Sequence, residues 1–184
     1  MDGNNNVLES GHGVDERGVV RALKRIVPDK WDVQRLQWLY RCMMTRDYAF
    51  DDVAAAVGPD AFLSQLFAAN CEWYEIGDVG LICVSAIVPN CNAIVHYVEW
   101  GEIEPRELIE LQYQLFDDLF TRLKLNRITA YIPAFNKQAI RMATLTGFKF
   151  EGDMRKIYLK NGIYHNLQIY GLLKEEFYER KVRN

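Results

Sequence analysis

The chain has 184 residues, of which 49% are hydrophobic and 26% are charged, and its net charge at pH 7 is −3. These values are typical of one soluble globular domain with a full hydrophobic core. They argue against nucleic acid as a partner, because a surface that binds phosphates is usually basic. No apolar run is long enough to span a membrane, so we expect no membrane segment.

Residues 1–18 are rich in Gly and Asn and lack the basic and apolar segments of a secretory signal. We expect them to form a flexible tail on a cytoplasmic protein whose single domain covers residues 19–184. The four cysteines form no C-x-x-C pair and have no histidine cluster beside them, so we predict no metal site. Cys83 and Cys91 could face each other across a hairpin, but free thiols in a reducing cytoplasm are the preferred interpretation.

Apolar periodicity and turn signals predict a mixed α/β domain. Asp29 is the expected cap of the first helix, Pro105 opens the long helix where a missing N–H costs nothing, and Gly147 ends the next helix. Asn161-Gly162 is a strong hairpin signal. In chain order we expect a strand at 19–27, helices at 29–41, 50–57 and 61–69, strands at 72–76, 79–88 and 93–100, a helix at 106–124, a strand at 127–132, a helix at 136–146, strands at 148–159 and 164–173, and a helical tail at 174–184.

Several short motifs follow one another through the C-terminal half of the chain. They are the aromatic-rich strand His96-Tyr97-Val98-Glu99-Trp100, Glu110, Phe120 before Arg127-Ile128, Asn136 before Gly147-Phe148, Glu151-Gly152 with Arg155, and Gly162, Tyr164 and Tyr170 in the closing hairpin. In this order and spacing, residues 96–152 resemble the GNAT superfamily, on the branch of the ribosomal-protein alanine N-acetyltransferases. The resemblance continues less tightly to about Phe177, and the first 90 residues match only by the order of their elements.

The resemblance implies a GNAT-like α/β fold with a mixed, mostly antiparallel central sheet flanked by helices. Strands 94–100 and 127–132 would diverge like a V and hold the pantetheine arm of acetyl-CoA. The pyrophosphate would lie on the loop and first turn of the following helix, where free N–H groups and the helix dipole favour an anion. The implied cofactor-binding residues are Val98, Trp100, Arg106, Asn136 and Arg141.

Three departures from the family pattern concern the cofactor and the proton donor. The two glycines of the family's phosphate loop fall on Glu104 and Arg106, so side chains obstruct a phosphate there, although Arg106 could pair with it. Ala139 and Ala143 stand where family members place a Ser or a Tyr as proton donor to the leaving thiolate. Asn166 replaces the Asp of the last hairpin.

Two residues of the 96–100 strand are candidates for the base that takes a proton from the attacking amine. Glu99 is the preferred catalytic residue, and the alternative interpretation is an exposed carboxylate at a strand end. His96 has a suitable pKa, but alternation points it to the opposite face, and we expect a packed core histidine. Asn136 can be both an N-cap and a cofactor contact, and Arg141 faces either the cofactor phosphate or solvent.

The resemblance implies an N-acetyltransferase that moves an acetyl group from acetyl-CoA to a primary amine by direct attack, without a metal. The acceptor would be a protein N-terminus or another amine, on a protein or a small molecule. The alternative is a degenerate GNAT domain that serves as a binding or structural module, which the altered phosphate loop favours. Another acyl-CoA as donor and a homodimeric assembly are options that the sequence leaves open.

Overall fold

The computed structural model describes residues 22–27, 32–59 and 68–183. The predicted tail at 1–18 lies outside these ranges, as does most of the helix expected at 61–69. Element order agrees with the sequence-based expectation throughout the described part. The elements are β1 (Leu23–Arg25), α1 (Val33–Met44), α2 (Asp52–Val57), β2 (Glu72–Ile76), β3 (Gly80–Val88), β4 (Asn92–Glu99), α3 (Pro105–Arg122), β5 (Arg127–Pro133), α4 (Lys137–Leu145), β6 (Lys149–Lys160), β7 (Ile163–Leu173) and α5 (Lys174–Arg183).

Capping side chains decide where the first two helices begin. Helix α1 begins at Val33, because the carboxylate of Asp32 accepts a hydrogen bond from the Gln34 N–H at 2.8 Å. The predicted start at Asp29 is therefore wrong, and Asp29 itself lies outside the described residues. Asp51 caps α2 in the same way.

The seven described strands form one sheet in the order β1-β2-β3-β4-β5-β7-β6. Only β4 and β5 run parallel, and every other pair is antiparallel. The parallel pairing stops at Val95 with Ala130, although β4 continues to Glu99 and β5 to Pro133. The two strands therefore diverge, and the predicted V-shaped splay is confirmed.

Helices cover the sheet on both faces and create two clusters of buried side chains. Helices α3, α4 and α5 lie on one face, and α1 lies on the other, so the splay has helices on each side. The first cluster includes Ile82, Val84, Leu108, Leu111, Leu115, Leu119, Phe120, Ala143 and Phe177. The second includes Leu36, Leu39, Met43, Trp73, Leu81, Cys83 and Val98.

The turn of the β6–β7 hairpin is tied to α2. Asn161 and Gly162 have φ values of 51° and 73°, as the predicted Asn-Gly turn requires. Both of their N–H groups donate to the carboxylate of Asp52 at 3.0 Å, and these bonds hold the pKa of Asp52 below its ordinary value. Nearby, the Tyr158 hydroxyl donates to the Tyr48 carbonyl. The hairpin is therefore fixed against the segment that follows α1.

Glu72 of β2 anchors the C-terminal end of α3 to the sheet. Its carboxylate is 9% exposed and accepts hydrogen bonds from Arg122 at 2.7 Å, from Arg25 at 2.7 Å and from the Tyr74 hydroxyl at 2.6 Å. Burial alone would raise the pKa of Glu72, but the donors, Arg122 above all, outweigh it and hold the pKa below its ordinary value. The carboxylate is therefore ionised at neutral pH and positions α3.

We expect Glu72→Ala to lower the free energy of unfolding by about 2–4 kcal/mol, because it leaves Arg122 and Arg25 without their shared carboxylate. Lys181→Ala removes an exposed pair with Asp117 and should cost less than about 1 kcal/mol. Urea denaturation at neutral pH measures both losses. Because the folded-state pKa of Glu72 is lowered, the stability from Glu72 should fade as the pH drops through that pKa. Equal losses in the two variants would contradict this account.

Candidate functional site

The divergence of β4 and β5 opens a cleft of about 130 Å³ between the helices of the two faces. Tyr48 and Ala49 line it on the α1 side, and Gln112 and Phe116 of α3 line it on the other side. The cleft therefore reaches through the sheet from one layer of helices to the other. Its remaining lining residues are Ile82, Val95, His96, Tyr97, Val98, Ala130, Tyr131, Ile132, Pro133, Asn136, Ala139, Met142, Ala143, Thr146 and Phe148.

The alternation of hydrogen bonds along β4 decides which backbone groups face the cleft. The Trp100 N–H donates to the Val79 carbonyl on the β3 side, whereas the Cys91 carbonyl accepts from the start of β5. Since alternate residues of a strand bond to opposite neighbours, even-numbered residues of β4 bond to β3 and odd-numbered ones face β5. Beyond Val95, where β5 turns away, Tyr97 and Glu99 thus direct their N–H and C=O groups into the opening.

Val98 and Trp100, the predicted backbone contacts of the cofactor, belong to the even-numbered set. Their backbone N–H and C=O groups point to β3, although the Val98 side chain reaches the cleft wall. The indole N–H of Trp100 donates to the Asp78 carbonyl, and its ring packs edge-on against Trp38. The sequence shows that a strand alternates but not which neighbour each residue bonds, so the expected contact moves by one residue to Tyr97.

Glu99 is held by four donors at the end of β4. Its carboxylate accepts from the Tyr97 hydroxyl at 2.6 Å and from the side-chain amide of Gln138 in α4. Its carbonyl accepts from the Arg46 guanidinium at 2.7 Å and from the Tyr48 hydroxyl at 3.2 Å. Burial and the neighbouring carboxylate raise the pKa of Tyr97, so its phenol stays protonated and keeps donating to Glu99.

His96 lies on the α1 face of β4, opposite Cys83. Its side chain is exposed and lines the cleft, so the expectation of a packed core histidine is wrong. The reason is the splay, which removes the strand that would otherwise run beside it. The surrounding protein still displaces enough water to lower the pKa of His96, so the imidazole is neutral at pH 7.

Asn136 caps α4 and also lines the cleft. Its side-chain oxygen accepts from the Ala139 N–H at 3.1 Å, which confirms the predicted N-cap. Its role in holding a cofactor stays a prediction. Ala139 and Ala143 also line the cleft, so the two places where a proton donor is expected are on its wall but carry only methyl groups.

A second cavity, of about 340 Å³, lies at the N-terminal end of α3. Met142 lines both this cavity and the cleft, so the two adjoin. Three acidic residues, Glu99, Glu102 and Glu104, line the second cavity, and Gln138 lines it as well. The chemistry of this cavity is therefore acidic.

The two arginines predicted to contact the cofactor phosphate line neither cavity. The Arg106 side chain is 94% exposed and forms an ion pair with Glu110 along the helix at 3.7 Å. Arg141 is also exposed, which agrees with the solvent-facing alternative. The structure therefore does not bring either guanidinium to the site.

Four residues of the site escaped the sequence analysis as functional candidates. Tyr97 belongs to the aromatic-rich strand, and Gln138 follows Asn136 by two residues. Both residues are therefore in or next to the motifs of the sequence. Arg46 and Tyr48 come from the segment after α1, far from the motifs, and carried no signal.

Asn166, the third departure from the family pattern, has a structural contact. Its side chain accepts from the Lys156 N–H at 3.1 Å, at an irregular point of the β6–β7 pairing where Lys156 has a φ of 51°. Among the described residues, no group of three or more His, Cys, Asp or Glu side chains could hold a metal ion. No helix in the described ranges is long and apolar enough to cross a membrane.

No protein-family model matches the chain. A curated relative, the SPbeta prophage-derived uncharacterized N-acetyltransferase YokL of Bacillus subtilis, is 31% identical over 72 residues. The match covers 39% of this chain and 39% of YokL, so the chain spans well under half the length of that relative.

Solved structures resemble the chain over most of its length. A variant of spermidine N-acetyltransferase SpeG from Vibrio cholerae gives a TM-score of 0.66 at 16% identity, over 86% of this chain and 98% of that chain. RimL, a ribosomal alpha-N-protein acetyltransferase in complex with coenzyme A, gives a TM-score of 0.66 at 15% identity, over 83% of this chain and 93% of RimL. The V. cholerae spermidine N-acetyltransferase in complex with CoA and spermine gives a TM-score of 0.62 at 16% identity, over 85% of this chain and 98% of that chain. These likenesses show that the chain has the fold of the GNAT acetyltransferases, as the sequence predicts.

The lowered pKa of His96 generates a prediction about stability. The unfolded chain should bind more protons than the folded one below the ordinary histidine pKa of about 6.5. The free energy of unfolding should therefore rise with pH up to about 6.5 and then level off, and His96→Gln should lose its part of that slope. Urea denaturation at a series of pH values measures the slope, and an NMR titration gives the pKa directly. A His96 midpoint at or above the ordinary value would refute the assignment.

Proposed function

We propose that the chain is a GNAT-type N-acetyltransferase that moves an acetyl group from acetyl-CoA to a primary amine on a protein or a small molecule. The observation that carries the proposal is the splay, which leaves backbone groups of Tyr97 facing an open cleft. Such groups can bond the amides of an extended pantetheine arm as a neighbouring strand would. The names of the similar structures support the same chemistry, since two of those proteins hold coenzyme A.

The donor and the acceptor approach the cleft from opposite faces of the sheet. The donor arm would enter on the α3 side, where the second cavity adjoins the cleft through Met142. The amine would enter on the α1 side, past Tyr48 and His96. This arrangement holds the amine nitrogen against the thioester carbon and supplies the proximity on which direct transfer depends.

The proposed transfer is a direct displacement. The amine nitrogen attacks the thioester carbon, the new N–C bond forms as the C–S bond breaks, and coenzyme A leaves as a thiolate. The Tyr97 N–H faces the cleft and would donate to the carbonyl oxygen as negative charge develops on it. Ala139 and Ala143 supply no proton, so the thiolate would take its proton from water, which its ordinary pKa of about 8.5 allows.

Two side chains of β4 can accept the proton that the amine loses. Glu99 is the base proposed from the sequence, and its carboxylate retains lone pairs beyond those bonded to Tyr97 and Gln138. His96 is its rival on the acceptor side, where it lines the cleft as a neutral imidazole. Glu99 lines the second cavity, on the donor side, and this placement favours His96.

We expect His96→Gln to lower turnover by about 10²–10⁴-fold with little change in acetyl-CoA affinity, because a positioned general base contributes that much. Glu99→Gln should lower turnover less, since its carboxylate serves mainly to hold Tyr97. Steady-state kinetics across a pH series compare the two variants with the wild type. A larger loss in Glu99→Gln, with His96→Gln near wild type, would return the catalytic role to Glu99.

Asn136 allows a matched test of cofactor binding. Asn136→Ala and Asp32→Ala each remove an N-cap and should each destabilise the protein by about 1 kcal/mol. Only Asn136 lines the cleft, so only Asn136→Ala should also weaken acetyl-CoA binding, by about two- to tenfold for a lost hydrogen bond. Calorimetry gives the affinities, and thermal unfolding gives the stabilities. Equal affinities in the two variants would remove Asn136 from the cofactor site.

The second candidate is a GNAT-fold module that binds without transferring an acyl group. The observations that favour it are the solvent-facing Arg106 and Arg141 and the methyl groups of Ala139 and Ala143 on the cleft wall. A thermal-shift experiment separates the two candidates, since acetyl-CoA at about 100 times its Kd should add about 2.7 kcal/mol of stability. No stabilisation at millimolar acetyl-CoA would favour the module.

A further inference from the structure

The second cavity lies where the far end of the donor would leave the cleft. It adjoins the cleft at Met142 and is bounded by the 101–105 segment and the first turn of α3. The first turn of a helix normally offers several unbonded N–H groups to an anion. The end of the donor opposite the thioester carries a diphosphate, so the groups that line this cavity decide whether that diphosphate is held.

The cavity presents negative charge. Its lining includes the acidic residues Glu99, Glu102 and Glu104, and no Lys or Arg is among the described residues that line it. The exposed guanidinium of Arg106 is paired with Glu110 instead. A diphosphate in this cavity would therefore meet like charges and no opposing cation.

Three backbone positions around the cavity offer no free donor. The N–H groups of Trp100 and Gly101 both donate to the Val79 carbonyl, and Pro105 at the start of α3 has no N–H. Gly101 serves this packing as well, because a Cβ there would lie 2.6 Å from the Val79 side chain. The glycine of this loop is thus required for the close approach of the backbone to Val79.

We propose that the donor site recognises the pantetheine arm of an acyl thioester and gains no net binding from the diphosphate and nucleotide. The proposal rests on the proposed acetyltransferase function and narrows its donor to the arm itself. Acetyl-CoA would bind with its nucleotide in solvent, and S-acetyl-pantetheine would bind equally well. The transfer is unchanged, since the N–C bond forms and the C–S bond breaks at the same thioester.

Calorimetry with the full chain tests the proposal by comparing acetyl-CoA with S-acetyl-pantetheine. At about 0.2 M salt, where the repulsion is screened, the two dissociation constants should agree within about threefold, whereas one charge-assisted phosphate contact would favour acetyl-CoA by about tenfold or more. Such a tenfold preference would overturn the inference and leave the proposed function standing. If neither thioester binds at millimolar concentration, the proposed function fails and the inference fails with it.

The salt dependence of acetyl-CoA binding is a second test. Its direction depends on whether the diphosphate lies near carboxylates or near a cation. Added salt screens the repulsion between the carboxylates and the diphosphate, so acetyl-CoA should bind more tightly at about 0.2 M salt than at about 0.02 M. S-acetyl-pantetheine carries no phosphate and should be insensitive. Weaker acetyl-CoA binding at the higher salt would reveal a cation at the diphosphate and contradict the proposal.

Glu102 and Glu104 are both exposed, so substituting them should not disturb folding. The double variant Glu102→Gln with Glu104→Gln should tighten acetyl-CoA binding by about threefold or more at low salt and leave S-acetyl-pantetheine unchanged. Glu179→Gln, an equal change on exposed α5, is the matched control and should alter neither affinity. Arg106→Ala should also leave acetyl-CoA binding unchanged. A loss of about tenfold in Arg106→Ala would restore Arg106 as a phosphate contact and refute the inference.

Discussion

The end of parallel pairing between β4 and β5 is the constraint on which the rest of the site depends. Each strand continues beyond Val95 and Ala130, so backbone groups that a neighbouring strand would satisfy face a cleft instead. Unpaired N–H and C=O groups are costly when they are buried and dry. Because the cleft is open, the groups of Tyr97 are not sealed from solvent and avoid that cost. The same geometry leaves His96 uncovered, so one divergence creates both the cleft and the exposed position of the histidine.

The splay is held open by contacts from several parts of the chain. The carbonyl of Glu99 accepts from Arg46 and Tyr48, which cap the free end of β4 from the α1 side. The carboxylate of Glu99 joins Tyr97 to Gln138 in α4, on the other side of the gap. These bonds come from both layers of helices, so they hold the free end of β4 in place beside the cleft.

Local sequence determined the elements better than it determined the site. The bounds of β2 were predicted residue for residue, because Gly77-Asp78 marks its turn, and Pro105 and Asn136 mark two helix starts. The direction of hydrogen bonding along β4 could not be predicted, since it depends on how β4 pairs with β3 and β5 over long sequence separations. The contacts of Arg46 and Tyr48 with Glu99 are equally non-local. The error at Asp29 is of another kind, because Asp32 offers the same capping chemistry three residues later.

The side chains of β4 alternate between the two faces of the sheet. The side chains of Tyr97 and Glu99 face α3 and α4, on the side where the donor would enter, whereas His96 and Val98 face α1. A shift of one residue in the pairing of β4 would exchange the two sets and place the histidine among the donor contacts. The irregularity of the β3–β4 pair lies between Ser85 and Val88, before this segment, so the register from Cys83 to Gly80 is continuous. The register of β3 against β4 therefore sets which layer of helices each side chain of the site faces.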